Sequence, residues 1–431
     1  MTNKKQEYRN PWTWVPSLYY AEGIPYVVVM TVSVLLYKSM GISNALIALY
    51  TSWLYLPWVI KPLWSPFIDM LKTKRLWIVV MQLIVGAGLG GVALSIPAHN
   101  FFKYTMAFFW LLAFSSATHD IAADGFYMLG LSQKNQSFFV GIRSTFYRLA
   151  MITGQGILIM LAGYFETKAP SVAVAWSYTF YIISFLFLAF FVYHKFILPY
   201  PKVDMPAIRD KSQGLFKEFF EAFVIFFKKE QIGKAIAFLL IFRFGEAQLI
   251  KLAQPFMFDP RSKGGLGLSL EEIGFVYGTI GIMALTVGGI FGGFLAAKGG
   301  LKKWIWWMFA AINIPHILYI YMSYAQPSNF IIINLCVAGE QFGYGFGFTA
   351  YMLYMIYISE GNFKTAHYAI CTGFMALSMM IPGMFSGWIQ ELLGYKHFFL
   401  WVFLTMIPGY FIVKILNIDP EFGKKDDIIK E

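Results

Sequence analysis

Residues 103–130, KYTMAFFWLLAFSSATHDIAADGFYMLG, decide the fold of this chain. The stretch is long enough to cross a bilayer as a helix, yet it contains Asp120 and Asp124. A carboxylate at membrane depth costs at least ~2.5–3.5 kcal/mol on insertion scales, so it usually faces a polar path through the protein. Corresponding apolar segments carry three more carboxylates, Glu22, Glu246 and Glu340. The pattern predicts a membrane carrier.

The composition supports this prediction. With 58% hydrophobic and 13% charged residues, the chain is not an ordinary soluble domain. Apolar runs of about 20 residues recur from end to end, and their lengths suit helices rather than barrel strands. We predict an all-α membrane protein with twelve transmembrane helices. The predicted spans, numbered 1 to 12, are 12–37, 45–68, 76–96, 103–130, 137–164, 172–197, 233–258, 270–297, 303–325, 329–358, 364–390 and 397–417.

The basic residues orient these spans. Of the 34 Lys and Arg residues, 23 lie in the termini and loops of one side and 6 in the loops of the other. By the positive-inside rule, both termini are cytoplasmic. This asymmetry accounts for the net charge of +11 without a nucleic-acid partner. The first ten residues are polar and the first apolar run exceeds a signal h-region, so we expect span 1 to stay uncleaved.

Signs of chemistry on a substrate are missing from the sequence. It shows no nucleophile elbow, phosphate-binding glycine loop or metal-spaced Cys/His cluster, so we predict no enzymatic activity, metal or cofactor. Cys336 and Cys371 lie inside predicted spans and imply no disulfide framework.

Two short patterns recur in the two halves. Gly41-Ile42-Ser43 opens span 2 and Gly267-Leu268-Ser269 opens span 8, each with a serine at the helix N-cap; Ser269 and Glu272 form a predicted capping box. Ser65-x-x-x-Asp69 and Gly293-x-x-x-Ala297 close these spans as degenerate copies of the major facilitator loop pattern G-x-x-x-D-R-x-G-R-R/K. The repetition predicts two six-helix repeats.

The repeats define the predicted domains. We expect an N-terminal six-helix bundle at 1–197, a cytoplasmic linker at 198–232, a C-terminal bundle at 233–417 and a cytoplasmic tail at 418–431. Within the linker, residues 215–227 place phenylalanines on one helical face, which predicts an amphipathic helix lying on the cytoplasmic surface.

Several sequence blocks resemble the AmpG muropeptide permease family of the major facilitator superfamily. They are YAEGIP at 20–25, KPLWSPFID at 61–69, ATHDIAAD at 117–124, YRL at 147–149, RFGEA at 243–247, EIG at 272–274, and Glu340 followed by Gly343, Gly345 and Gly347. His119 departs from the amide expected in bacterial permeases, and Glu246 with Arg243 replaces an Asp and Lys pair. Eukaryotic acetyl-CoA transporters form a related branch.

The resemblance implies a major facilitator fold of two six-helix pseudo-repeats, in which spans 1, 4, 7 and 10 line a central cavity. It further implies a monomeric, proton-coupled importer of anhydromuropeptides in a bacterial inner membrane. Its partners would be the lipid bilayer, protons and an amino-sugar disaccharide with or without peptide. Two alternatives stay open: a carrier retargeted to another oligosaccharide, peptide or acyl-CoA-type solute, and a non-transporting receptor or scaffold.

Buried carboxylates are the candidates for proton coupling, with Asp120 as first choice. The full set is Asp120, Asp124, Glu246, Glu22 and Glu340. If spans 4 and 5 pair as a hairpin, Asp120 comes level with Arg148 and Asp124 with Arg143, either as permanent salt bridges or as gating contacts. Arg243 and Glu246 are three residues apart and are expected to pair within span 7.

Basic and hydroxyl side chains are the candidates for substrate binding. They are Lys251, Arg243, Gln341, Tyr20, Tyr147 and Lys61. Lys251 is expected to have no local partner, so it either meets an anionic substrate group or extends to the outer interface. Lys61 either contacts substrate or holds span 2 by reaching a carboxylate or the cytoplasmic interface. Asp69 is expected to latch the closed state, and His119 to be a hydrogen-bonded packing residue.

The topology predicts the accessibility of introduced cysteines. A cysteine near Lys298 should resist membrane-impermeant thiol reagents in intact cells, because that loop is predicted to be cytoplasmic, and a cysteine near Lys263 should react. Labelling after permeabilisation, in a chain without Cys336 and Cys371, controls for access to the first site. The reverse labelling pattern would overturn the predicted orientation.

Overall fold

The computed structural model describes residues 9–206 and 220–424, except the side chains at positions 69, 133 and 134. These residues form helices and no strand, and the helical segments fall into the twelve predicted spans, which confirms the all-α fold class. Seven stretches are long and apolar enough to cross a membrane by length and composition alone.

Helices of the first half are often interrupted. Its segments are Val15–Val27, Val28–Val32 and Ser33–Ser39 in span 1, Asn44–Trp53 and Leu56–Leu71 in span 2, Lys74–Ser95 in span 3, Phe101–Gly130 in span 4, Gln133–Ile152, Thr153–Leu158 and Ile159–Glu166 in span 5, and Val172–Ile197 in span 6. A π-helical turn at Val28–Val32 follows Pro25, whose ring nitrogen cannot donate to the helix ladder.

The second half is interrupted in different places. Its segments are Ile232–Ile241 and Phe244–Phe258 in span 7, Leu270–Ile273, Gly274–Gly281 and Ile282–Gly299 in span 8, Leu301–Asn313 and His316–Ala325 in span 9, Phe330–Ser359 in span 10, and Lys364–Leu404 with Ile407–Ile415 in spans 11 and 12. Gly394 separates spans 11 and 12 because its φ of 70° lies in the left-handed region that glycine readily adopts.

Serine caps begin spans 2 and 8, as the sequence predicts. The Ser43 hydroxyl accepts the amide hydrogen of Leu46 at 3.4 Å. The capping box is confirmed: the Glu272 amide donates to the Ser269 hydroxyl at 3.2 Å, and the Ser269 amide donates to the Glu272 carboxylate at 2.9 Å. These bonds satisfy amide groups that a helix start leaves unpaired.

The described residues fall into two compact units. The first unit draws on Met1–Ile42, Ile60–Phe219 and Ser269–Gly278, and the second on Ser43–Val59, Phe220–Leu268 and Thr279–Glu431. The start of span 2 therefore packs in the second unit and the start of span 8 in the first. The domain limits at 197, 233 and 417 stay a prediction.

In the first unit, span 8 begins in close contact with span 5. A Cβ added to Gly278 would lie 2.2 Å from the backbone of Gln155, and one added to Gly274 would lie 2.8 Å from the Gly156 carbonyl oxygen. Real Cβ atoms do not approach other atoms this closely, so only glycine fits at these two positions.

The segment before span 7 packs partly against span 11. Residues 220–227 are helical, but Phe226 is fully buried, and the His367 ring donates a hydrogen bond to the Ala222 carbonyl at 3.1 Å. Phe226 also stacks on Phe374 with ring centroids 6.4 Å apart. Part of the apolar face is thus covered by protein rather than by a membrane surface. The beginning of the expected helix, at 215–219, lies outside the described residues.

In the second unit, span 10 contacts spans 8 and 9 through its glycines. A Cβ added to Gly345 would lie 2.0 Å from the Leu285 carbonyl oxygen. One added to Gly343 would lie 2.1 Å from the Ala311 carbonyl oxygen. Small residues at such positions let membrane helices approach backbone to backbone.

Substitution of Gly345 tests this close packing. Gly345→Ala should lower the midpoint of thermal unfolding in detergent, because overpacking typically costs about 1–3 kcal/mol. Gly293→Ala is the matched control, since a Cβ at this helical position meets nothing within 4 Å. The measurement is the fraction of monodisperse protein after heating. Equal midpoints for Gly345→Ala and wild type would show that spans 8 and 10 can separate without cost.

Candidate functional site

Spans 1, 4 and 5 of the first unit surround a polar cavity of about 350 Å³. Its lining residues are Tyr19, Glu22, Asp120, Asp124, Arg143, Ser144, Tyr147 and Arg148. Five of these eight carry ionisable groups of opposite sign, carboxylates on one hand and guanidinium groups on the other. Such a lining suits a solute with polar groups far better than it suits lipid.

Asp120 forms an ion pair with Lys61 of span 2. The predicted pairing of Asp120 with Arg148 is therefore wrong. The hairpin argument considered only spans 4 and 5, whereas the Trp64 ring of span 2 contacts Phe114 of span 4 with centroids 5.6 Å apart. This contact places span 2 along span 4 and brings Lys61 beside Asp120. Lys61 thus reaches a carboxylate, one of the two roles expected for it.

Asp124 pairs with Arg143, as the hairpin predicts. The guanidinium donates to the carboxylate at 3.1 Å and to the Tyr19 hydroxyl at 2.9 Å, while this hydroxyl donates to the same carboxylate oxygen at 3.0 Å. The three groups therefore form a closed triangle that joins spans 1, 4 and 5. Arg143 also lies 4.8 Å from the centre of the Tyr19 ring, within cation–π range.

Glu22 forms no ion pair with a described basic residue, but its carboxyl group is hydrogen-bonded to that of Asp120 and lies within electrostatic range of Lys61. It is 6% exposed, it interacts directly with the Asp120 carboxyl group, and its Oε2 atom makes no hydrogen bond with a described residue. Arg148 is the corresponding cation: within 9–206 and 220–424 it has no ion pair or hydrogen bond. Three carboxylates and three basic groups lie in or beside the cavity. Two pairs of them form ion pairs, and Glu22 and Arg148 form none with a described residue.

Three other candidates of the first half occupy different surroundings. Tyr147 lines the cavity, whereas the Tyr20 hydroxyl is hydrogen-bonded to the Thr153 hydroxyl at 2.8 Å, and its ring contacts Phe190. The latch role expected for Asp69 stays a prediction, because the side chain of this residue lies outside the described atoms.

His119 is buried in a hydrogen-bonded chain that links four spans. Its Nε2 lies 3.0 Å from the Gln82 amide nitrogen, and the Gln82 oxygen lies 2.9 Å from His194 Nδ1. His194 Nε2 in turn lies 2.9 Å from the Ser17 hydroxyl. The chain joins spans 4, 3, 6 and 1 in that order, as expected for a hydrogen-bonded packing residue.

In the second unit, Glu246 pairs with His316 of span 9. Their Oε2 and Nε2 atoms are 3.0 Å apart, and both side chains are 0% exposed. Glu340 is also buried, interacts electrostatically with both, and accepts a hydrogen bond from Gln341 at 2.9 Å. This second group of ionisable side chains is fully enclosed by protein.

Arg243 does not pair with Glu246, contrary to the sequence-based prediction. The helix of span 7 breaks between Ile241 and Phe244, so spacing by three residues no longer places the two side chains on one face. The Arg243 guanidinium donates to the Tyr344 hydroxyl at 2.5 Å and lies 4.7 Å from the centre of the Phe348 ring. Aromatic faces therefore surround this cation.

Lys251 is buried, with 4% exposure, and does not extend to the outer interface. Its ammonium group donates to the Thr51 hydroxyl of span 2 at 3.0 Å, so its hydrogen-bond partner comes from a distant segment rather than from span 7. The threonine comes from the part of span 2 that belongs to the second unit, a contact that spacing within span 7 cannot reveal. A substrate role for Lys251 stays a prediction.

His316 is the ionisable residue that sequence reasoning missed. It lies inside span 9 directly after Pro315, and an ionisable side chain within an apolar span is itself a signal of a functional site. Among the described residues, no group of three His, Cys, Asp or Glu side chains could hold a metal ion.

Comparison with known proteins places these features in a family. The sequence profile of the Major Facilitator Superfamily matches residues 19–387. A protein named AmpG 4 from Rickettsia conorii is 24% identical over 92% of this chain and 94% of its own length. The anhydromuropeptide permease of Escherichia coli strain K12 is 20% identical over 86% of this chain and 72% of its own length.

A solved structure gives the same result for the fold. The crystal structure of a D-xylose-proton symporter superposes with a TM-score of 0.72 at 13% identity, over 96% of this chain and 98% of that structure. The predicted major facilitator fold is confirmed, and so is the resemblance to AmpG permeases. This chain belongs to the Major Facilitator Superfamily and is a multi-pass membrane transporter rather than an enzyme.

Proposed function

We propose that this transporter imports anhydromuropeptides, the disaccharides of N-acetylglucosamine and anhydro-N-acetylmuramic acid with or without peptide, together with protons. The similarity to the anhydromuropeptide permease of Escherichia coli supports the substrate class. The protein would act as a monomer in a bacterial inner membrane, with both termini in the cytoplasm. The excess of basic residues in one set of loops supports this orientation.

The observation that carries the proposal is that Glu22 lines the cavity without an ion-pair partner among the described residues. Asp120 and Asp124 each have a basic partner, so their negative charges are compensated in place. Glu22 forms no such ion pair, and its carboxyl group is hydrogen-bonded to the Asp120 carboxyl group, where a second negative charge is repelled. A proton on Glu22 would remove this repulsion. Glu22 thus replaces Asp120 as the first choice for the coupling site.

Coupling requires the proton affinity of this site to differ between the two transport states. Lys61 is the group through which such a difference would arise, because it neutralises Asp120 beside Glu22. If the transport cycle moves span 2 away from span 4, this cation leaves the two adjacent carboxyl groups, and a proton on Glu22 then avoids two uncompensated negative charges side by side. If span 2 returns, Lys61 displaces the proton.

The same geometry weighs against a non-transporting receptor or scaffold. Charged groups at membrane depth cost several kcal/mol each unless they are compensated. A scaffold that binds no solute in the cavity would gain nothing that offsets this free-energy cost. Similarity to the xylose symporter concerns the fold alone and supports no particular sugar.

An amide at position 22 tests the coupling site. Glu22→Gln mimics the permanently protonated acid, so pH-driven accumulation of radiolabelled disaccharide in proteoliposomes should fall to the level of equilibration. Exchange between preloaded vesicles should persist, because exchange needs no net proton movement. Glu360→Gln, at an exposed position after span 10, serves as the control and should accumulate substrate like wild type.

Each contrary result has a distinct meaning. If Glu22→Gln still concentrates the disaccharide in response to a pH gradient, Glu22 is not the coupling site, and Asp120→Asn becomes the next variant to assay. If reconstituted wild-type protein transports no anhydromuropeptide at all, the proposed substrate is wrong.

A further inference from the structure

Arg148 presents a guanidinium group to the cavity without a hydrogen-bond acceptor among the described residues. It lies on span 5 one helical turn after Ser144, so both residues face the cavity from the same side of the helix. Arg143, by contrast, donates from its Nη1 atom to Asp124 and Tyr19. An arginine carries five donors, and leaving them unused in partly apolar surroundings costs free energy that a ligand could recover.

The neighbouring Tyr147 adds a second unused donor. Its hydroxyl makes no hydrogen bond with a residue in 9–206 or 220–424, although it lines the same cavity. The Ser144 hydroxyl already donates to the Val140 carbonyl at 3.0 Å. This part of the cavity therefore offers two hydrogen-bond donors and a positive charge to an anion, although the three carboxylates that line the cavity also act electrostatically on Tyr147.

The charges of the cavity favour the same conclusion. With Lys61 paired to Asp120 and Arg143 paired to Asp124, protonation of Glu22 leaves Arg148 as the one charge without an ion-pair partner among the described residues that line this cavity. A monovalent anion at Arg148 would make the site neutral. A proton on Glu22 and an anion at Arg148 would therefore each favour binding of the other, a reciprocal linkage.

We propose that Arg148, together with the Tyr147 hydroxyl, binds a carboxylate group of the transported solute. The planar guanidinium fork matches the two carboxylate oxygens, which makes arginine a better partner here than a point charge. The inference rests on the proposed transport function and specifies its substrate as an organic acid. In anhydromuropeptides, the carboxyl group is that of the lactyl ether or of the attached peptide.

The cavity size limits which part of the solute this site holds. A volume of about 350 Å³ is at the lower end of the roughly 300–1,000 Å³ found for ligand pockets. The acidic end of the solute fits here, and a whole disaccharide with its peptide requires additional space.

Binding of an acid and its neutral amide to purified full-length protein tests this site. The probes are the disaccharide of N-acetylglucosamine and anhydro-N-acetylmuramic acid and its primary carboxamide, measured by isothermal titration. Wild type should prefer the acid about 10- to 100-fold, the range expected for hydrogen bonds to a charged group. Arg148→Gln should bind both probes equally, with the affinity for the carboxamide unchanged.

Two further variants make the result specific. Arg148→Lys keeps the charge but loses the fork, so it should retain only part of the preference and also serves if Arg148→Gln does not fold. Lys302→Gln removes an exposed positive charge in the first turn of span 9 and should keep the full preference. An unchanged preference for the acid in a monodisperse Arg148→Gln protein would overturn the inference.

The two proposals can fail separately. If wild type binds neither disaccharide, the proposed substrate is wrong, and thermal stabilisation by simple pairs such as glucuronate and glucuronamide decides the question for Arg148. Stabilisation by the acid in wild type and not in Arg148→Gln supports the carboxylate site. If no acid stabilises wild type more than its amide does, the site is not selective for carboxylates.

Discussion

A charge surrounded by apolar groups needs a partner, and this constraint organises the first unit. The Lys61–Asp120 pair joins spans 2 and 4, and the Arg143–Asp124–Tyr19 triangle joins spans 5, 4 and 1. Removing one member of a fully buried pair costs about 3–5 kcal/mol. The cost is smaller here, because these charged side chains retain between 21% and 43% exposure. The pairs are therefore strong enough to position helices and accessible enough to exchange partners.

The charged groups of the second unit have different surroundings from those of the first, although the two halves share repeated sequence patterns. Glu246 and His316 are fully enclosed, and Arg243 lies among tyrosine and phenylalanine rings rather than beside a carboxylate. Enclosed groups exchange protons only when the surrounding helices move. The first unit thus holds the charges that a solute could reach, whereas those of the second unit depend on helix packing.

Sequence reasoning succeeds where a feature depends on neighbours along the chain. Helix positions follow from apolar runs, the Ser269 capping box from local spacing, and Asp124 with Arg143 from the short turn between spans 4 and 5. It fails where partners come from distant spans, as for Asp120 with Lys61 and Glu246 with His316. No pattern within one helix reveals which other helix lies beside it. The interruption before Phe244 also invalidates helical spacing for Arg243, since spacing arguments assume a continuous helix.

The hydrogen bonds that run from His119 through Gln82 and His194 to Ser17 have a direction, because each one has a donor and an acceptor. Each neutral histidine carries a single ring proton, and the orientation of the Gln82 amide determines which nitrogen holds it. Rotating this amide by half a turn would move the proton to the other nitrogen in both rings and leave the net charge unchanged. Four helices are thus tied together by a link that can reverse its polarity without becoming ionised.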